Sequence, residues 1–213
     1  MPSILIAGAT GLVGSECLRL ALADPAFERV VVLARRPREG PVAPKLDWRL
    51  ADFSHLELQR SAFAVDAVLC ALGTTIRVAG SRERFREVDH DYPLALARLG
   101  LAGGATHFLL VSALGADATS RIFYNRVKGE TERDILALDY PHITIARPSL
   151  LLGDRRELRI GERIGQLLGF AIPGRYRPIQ ARTAARALID SARSGGAGRR
   201  VLESAEMRRR FDA

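Results

Sequence analysis

SILIAGATGLVGSECLRLALA, running from Ser3 to Ala23, changes its periodicity halfway. Ser3 to Ala7 is a short apolar run, whereas Leu12 to Ala23 repeats its apolar residues at helical spacing through Val13, Cys17, Leu20 and Leu22. Between them stand Gly8, Gly11 and Gly14 in G-x-x-G-x-x-G spacing. Gly8 is expected to let the chain turn sharply, and Gly11 to let backbone amides approach a pyrophosphate with no Cβ in the way. Gly14 is expected to let the helix pack close to the strand. A helix N-terminus adds free N–H groups and the positive end of its dipole. A lone glycine triplet is a weak signal. Placed between a strand and a helix, it makes Gly8, Ala9, Thr10, Gly11, Leu12, Val13 and Gly14 candidates for holding a dinucleotide.

Outward from this unit, strand-like and helix-like runs alternate. Strands are expected at Arg29 to Ala34, Asp47 to Ala51, Asp66 to Leu72, His107 to Ala113 and His142 to Arg147. Helices are expected at Val88 to Gly103 and Tyr124 to Leu138, with a proline-bearing loop from Arg35 to Lys45. The strands are continuously apolar rather than alternating, which marks a parallel sheet covered on both faces. The expectation is an α/β, doubly wound parallel sheet of the Rossmann type. The remainder reads as a helix at Leu158 to Leu168, a helix near Ala181 to Ala192 and a last strand near Arg200 to Glu203. It is too short for a separate unit, so residues 1–213 read as a single domain with a C-terminal substrate-side extension.

The end of the second strand discriminates between dinucleotides. An acid there would bind a ribose 2′-hydroxyl, but this chain has Arg35 and Arg36. Guanidinium forks suit a 2′-phosphate, so NADP(H) is the expected cofactor. After the third strand, Asp52 can accept a hydrogen bond from an adenine amino group and Phe53 can contact the ring. A helix cap before Leu56 is an equal alternative for Asp52.

Tyr124 and Lys128 form Y-x-x-x-K on a helix, so they share one face a turn apart. An ammonium beside a phenol favours its ionised form, which makes Tyr124 a usable proton donor or acceptor. Ser112 ends the fifth strand, where open α/β sheets bind ligands, and its hydroxyl is expected to hold a substrate carbonyl. Lys128 gains weight because Lys45 is the only other lysine in an arginine-rich chain.

The net charge of +8 invites a nucleic-acid reading. The arginines are scattered apart from Arg208, Arg209 and Arg210, and no zinc-finger, basic-heptad or RNP-like module appears, so no nucleic-acid partner is expected. Cys17 and Cys70 read as buried free thiols. His55, His90, His107 and His142 show no metal spacing, so no metal is expected. No apolar run is long enough to span a membrane, and the opening residues read as a strand rather than a leader. These features set a cytoplasmic location as the expectation.

The glycine turn, the Ser112, Tyr124 and Lys128 set and the Arg147-Pro148-Ser149 run resemble an extended or atypical short-chain dehydrogenase/reductase. ALGTT (Ala71 to Thr75), AGSRERFREVDHDY (Ala79 to Tyr92), HFLLVSALGAD (His107 to Asp117), FYNRVKGETE (Phe123 to Glu132) and RPSLLLGDRRELR (Arg147 to Arg159) are more narrowly similar to Tat-interacting-protein-like oxidoreductases. The resemblance implies that Leu72, Gly73 and Thr74 line the adenosine and ribose side. It implies that Pro148, Ser149, Leu150 and Leu151 border the nicotinamide, and that Arg159 returns over the phosphates. Such proteins often carry an Asn on the fourth helix for a proton relay, whereas Asp89 or His90 stands there. Two functions follow. One is NADP(H)-dependent hydride transfer to or from a small carbonyl or alcohol. The other is an NADP(H)-sensing role toward a protein partner.

Overall fold

The computed structural model describes residues 2–38, 43–153, 174, 176–195 and 198–212. β1 (Ser3–Ala7), β2 (Arg29–Ala34), β3 (Leu46–Leu50), β4 (Ala67–Cys70), β5 (His107–Val111), β6 (His142–Arg147) and β9 (Gly198–Glu203) form one sheet. Its order is β3-β2-β1-β4-β5-β6-β9, and every pairing is parallel. The order reverses between β1 and β4, the switch point at which open α/β sheets hold their ligands. β7 (Leu151–Leu152) and β8 (Ile179–Gln180) make a separate two-stranded parallel ribbon. The expected helix over Leu158 to Leu168, and Arg159, lie outside the described residues.

Successive side chains of each strand go to opposite faces, and both faces are apolar. Ile4, Ile6, Val30 and Val32 enter one core with α1 (Leu12–Ala23), α6 (Ala181–Ser194) and Met207 of α7 (Ser204–Phe211). Leu5, Ala7, Val31 and Leu33 enter the other with the 3-10 segment Phe53–Phe63, α4 (Tyr92–Ala102) and Ile135 of α5 (Phe123–Leu136). Both free cysteines are buried, Cys17 in the first core and Cys70 in the second.

The expected helix from Val88 is interrupted at its start. After short α2 (Ile76–Ala79) and α3 (Arg82–Arg86), Glu87–Asp91 forms one π-helical turn before α4. Such a turn rotates the following residues relative to an α-helix and is frequent at functional sites. Here it carries Asp89 inward. The helix Ser204–Phe211 was not legible because its arginine-rich sequence has little apolar stripe, and Met207 alone of its large side chains is fully buried.

Candidate active site

The turn after β1 has the geometry its glycines predict. Gly8 lies at φ +87°, and a Cβ there would stand 2.4 Å from the carbonyl oxygen of Ala71. A Cβ on Gly14 would stand 2.1 Å from the carbonyl oxygen of Gly8, so only glycine lets α1 come this close to the strand. The Gly11 N–H closes the turn on the Gly8 carbonyl at 2.9 Å. No side chain caps α1 and its first turn has no acid, which leaves that terminus suited to an anion.

A cleft of about 310 Å³ opens at this turn. Of the expected binding residues, Gly8, Thr10, Gly11, Arg35, Phe53, Leu72, Gly73 and Thr74 line it. Ala9 and Val13 are buried in the core beneath, and Leu12 borders a neighbouring hollow with Leu152 and Gly153. The residues lining it that were not foreseen are Ala71, just after β4, and, from the α2–α4 region, Val78, Ala79, Arg84, Val88 and Tyr92. Phe53 and Tyr92 rings lie 5.8 Å apart, and the Arg84 guanidinium sits 5.8 Å from the Tyr92 ring centre while pairing with Glu87. Arg36 is exposed and absent from the cleft wall. Its carbonyl accepts the Trp48 indole N–H at 3.1 Å. Asp52 caps the 3-10 segment by accepting the Ser54 N–H at 2.9 Å, so the capping alternative describes its observed contact.

Lys128 is buried, and its Nζ lies 2.7 Å from Oδ1 of the equally buried Asp89. Burial pulls the ammonium's pKa down, but the charges of Asp89 and Tyr124 outweigh it and hold Lys128 above its ordinary value. The other Asp89 oxygen accepts the Thr74 N–H at 2.9 Å, tying the pair to the cleft wall. A Cβ on Gly73 would come within 3.6 Å of Asp89 and 3.9 Å of Lys128. Burial pushes the nearby Cys70 thiol up to about 12, which keeps it protonated. Tyr124 is half-buried one turn before Lys128, its ring 5.6 Å from that of buried Phe85.

Asp89 meets Lys128, whereas His90 bridges Asp91 and Asp134 at 2.6 and 2.9 Å. Ser112 stands directly after β5, at the strand end where it was expected. It is buried, and its hydroxyl donates to Glu132. Glu132 is 3% exposed and forms an ion pair with Arg147, whose Nε lies 3.0 and 3.1 Å from its two oxygens. Hydrogen bonding to Glu132 holds the Arg147 guanidinium above its usual pKa. Pro148 is buried and its carbonyl accepts the Leu114 N–H at 2.8 Å. Ser149 spends its hydroxyl on the Arg177 carbonyl at 2.6 Å, and Leu151 pairs with Ile179 in the ribbon. Glu132 was missed, although it continues the Tyr124 and Lys128 spacing by four more residues.

Residues 3–83 match the family described as Semialdehyde dehydrogenase, NAD binding domain. Protein HTATIP2 of Rattus norvegicus is 34% identical over 206 residues, covering 94% of this chain and 85% of its own length. Protein FMP52, mitochondrial, of Candida albicans is 35% identical over 204 residues, covering 91% of this chain and 89% of its own. The chain belongs to the HTATIP2/FMP52 family. The fold of this family member is that of short-chain dehydrogenase/reductases. A Burkholderia thailandensis oxidoreductase of that group superposes with a TM-score of 0.69 at 19% identity, covering 97% of this chain and 93% of that one. MoeE5 in complex with UDP-glucose and NAD superposes with a TM-score of 0.73 at 17% identity, covering 94% and 75%. The FMP52 relatives correct one expectation, since they are named mitochondrial and not cytoplasmic. Reduced buried thiols and the lack of a long apolar run do not distinguish those compartments.

Proposed function

We propose that this family member is an NADP(H)-dependent oxidoreductase acting on a carbonyl or its alcohol. The observation that carries the reading is the buried Lys128–Asp89 pair at 2.7 Å, joined through Thr74 to the wall of the cleft that the glycine turn opens. The residues present fit a dinucleotide. The uncapped α1 terminus suits its pyrophosphate, Phe53 and Leu72 its adenosine, and Arg35 a 2′-phosphate. When bound, the nicotinamide supplies or accepts the hydride. Tyr124 gives its phenolic proton to the carbonyl oxygen in reduction and takes it back in oxidation. Lys128 places a fixed positive charge one helical turn from that phenol and next to the turn that would border the ribose. Asp89 holds that charge in place by direct contact.

Calorimetric titration with NADPH and NADH, followed by turnover on a carbonyl panel, tests this. At least tenfold tighter NADPH is expected, since a charge-assisted phosphate contact is worth ~1.5–3 kcal/mol. Equal affinities would remove the NADP assignment. Tight NADPH with no turnover of any carbonyl would replace catalysis by the sensing role.

A further inference from the structure

The α2–α4 part of the cleft wall is apolar or aromatic at Val78, Ala79, Val88 and Tyr92, and it carries one cation, Arg84. A surface arginine ordinarily samples many rotamers, and ordering it on binding is costly. Arg84 is already held. Its Nη1 donates to the Tyr92 hydroxyl at 3.1 Å, and the guanidinium pairs with Glu87. The Tyr92 hydroxyl in turn donates to Oε1 of Glu87 at 2.6 Å and lies 3.2 Å from the Ser54 hydroxyl. One phenol thus ties α3, the π turn and the 3-10 segment after β3 to the same guanidinium. The Tyr92 ring, 9% exposed, lies 5.8 Å from the Phe53 ring and 5.8 Å from that guanidinium. Even so, 46% of the Arg84 side chain stays exposed, and the residue lines the cleft. A planar cation fixed on an aromatic base, with surface left open to a cleft, is pre-organised for stacking.

The charges around Arg84 decide which part of a dinucleotide suits it. Hydrogen bonding to Tyr92 and Arg84 holds the Glu87 carboxyl below its usual range. Hydrogen bonding to Ser54 does the same for Asp52, with a smaller contribution from the charge of Arg84. Two ionised carboxylates therefore act on this guanidinium, and both would repel a phosphate brought to it. A neutral planar base meets no such repulsion. We propose that Arg84 is a base clamp, its guanidinium stacking on the adenine of the dinucleotide, with Tyr92 and Glu87 as the residues that position it. This rests on the dinucleotide reading, which places the adenosine at Phe53 and a 2′-phosphate at Arg35. The two arginines then divide the nucleotide between them. Arg84 serves the base that NADPH and NADH share, and Arg35 serves the phosphate that only NADPH carries.

Calorimetric titration of the parent and Arg84→Ala with NADPH and NADH tests the clamp. Both affinities are expected to fall by the same factor, about fivefold or more, as for the loss of one stacked cation. A loss confined to NADPH would make Arg84 a phosphate ligand and overturn the clamp, and so would no loss for either. Displacement of bound NADPH by ADP and by UDP, whose phosphates carry the same charge, reads the base directly. The parent is expected to hold ADP more tightly than UDP, and Arg84→Ala to lose more of its ADP affinity than of its UDP affinity. Equal affinities in the parent, or equal losses in the variant, would show that Arg84 does not act on the base. Tyr92→Phe keeps the ring and removes the hydroxyl, so it should show the same pattern at about twofold or more. Unchanged affinities there would remove the hydroxyl as a positioning group. Urea denaturation accompanies each variant, and if Arg84→Ala lowers the midpoint, Arg84→Gln, which keeps a planar polar end without the charge, takes its place. Should the parent bind neither dinucleotide, the clamp and the dinucleotide reading fall together. Should it bind both, with the Arg84 variants binding them as tightly, the clamp alone falls.

Discussion

Two ion pairs whose α5 members are buried sit one turn apart on that helix, and they face different things. Lys128–Asp89 takes its cation from the helix and its acid from the π turn. It adjoins Gly73 and is bonded to Thr74 on the cleft wall. Glu132–Arg147 takes its acid from the helix and its cation from the end of β6. Ser112 donates to its acid, and the half-exposed Glu203 approaches its cation at 3.3 Å. Removing one member of the first pair strands a buried charge, and removing Arg147 strands the buried Glu132 carboxylate, so both pairs constrain the fold. The first is bonded to a residue of the cleft wall, whereas among the described residues neither member of the second hydrogen-bonds a residue that lines the cleft.

The largest effect that would sharpen this comparison is on Tyr124, which shares a face of α5 with both pairs. Tyr124→Phe is expected to lower kcat by ~10²–10⁴ while leaving NADPH affinity within a few-fold, since the ring against Phe85 remains. Stopped-flow and equilibrium titration measure the two quantities, and full activity in this variant would remove Tyr124 from the chemistry.

Lys128→Met should damage both stability and binding. It strands Asp89, which is expected to cost ~3–5 kcal/mol in urea denaturation, and adding Asp89→Leu should restore part of it. Affinity for NADPH should fall in both variants. If the single variant loses affinity but no stability, Lys128 is not held by Asp89 in solution.

A third buried ionisable group has no counter-ion, and it shows what pairing does. His107 lies between β4 and β6, 2% exposed, with Nε2 bonded to Thr144 at 2.9 Å and Nδ1 without a partner among the described residues. Burial, reinforced by His142, lowers its pKa to about 4. Because the unfolded chain protonates near ~6.5, stability is whole above that pH and falls as pH drops from there toward 4. The full shift corresponds to roughly 3 kcal/mol. His107→Gln should flatten the stability–pH curve over that window, and an unchanged slope would mean that His107 is not the group responsible.

The smallest effect is expected at the cleft mouth. Arg35→Ala should cut the NADPH-over-NADH preference about tenfold, the value of one charge-assisted contact. Arg36→Ala should leave it nearly unchanged, because Arg36 lies off the cleft wall. Equal losses in the two variants would show that net charge, rather than placement, selects the phosphate.

The local backbone of this protein was readable from its sequence. β1, β2, β6 and α1 fall where apolar runs, helical spacing and glycines put them, because strand burial on two faces and a glycine-only turn leave plain marks on residue type. The Y-x-x-x-K spacing likewise placed Tyr124 and Lys128 on one helix. Their partners were not readable. Asp89 reaches Lys128 through a π turn that has no residue signature, across 39 positions of chain. Ser112 looked like a substrate ligand by its place at a strand end, and tertiary packing put an acid within reach of its hydroxyl. Sequence fixes which residues share a strand or a helix face, because those periods are local. Which charge neutralises which in the dry interior depends on distances set only when helices and sheet pack together.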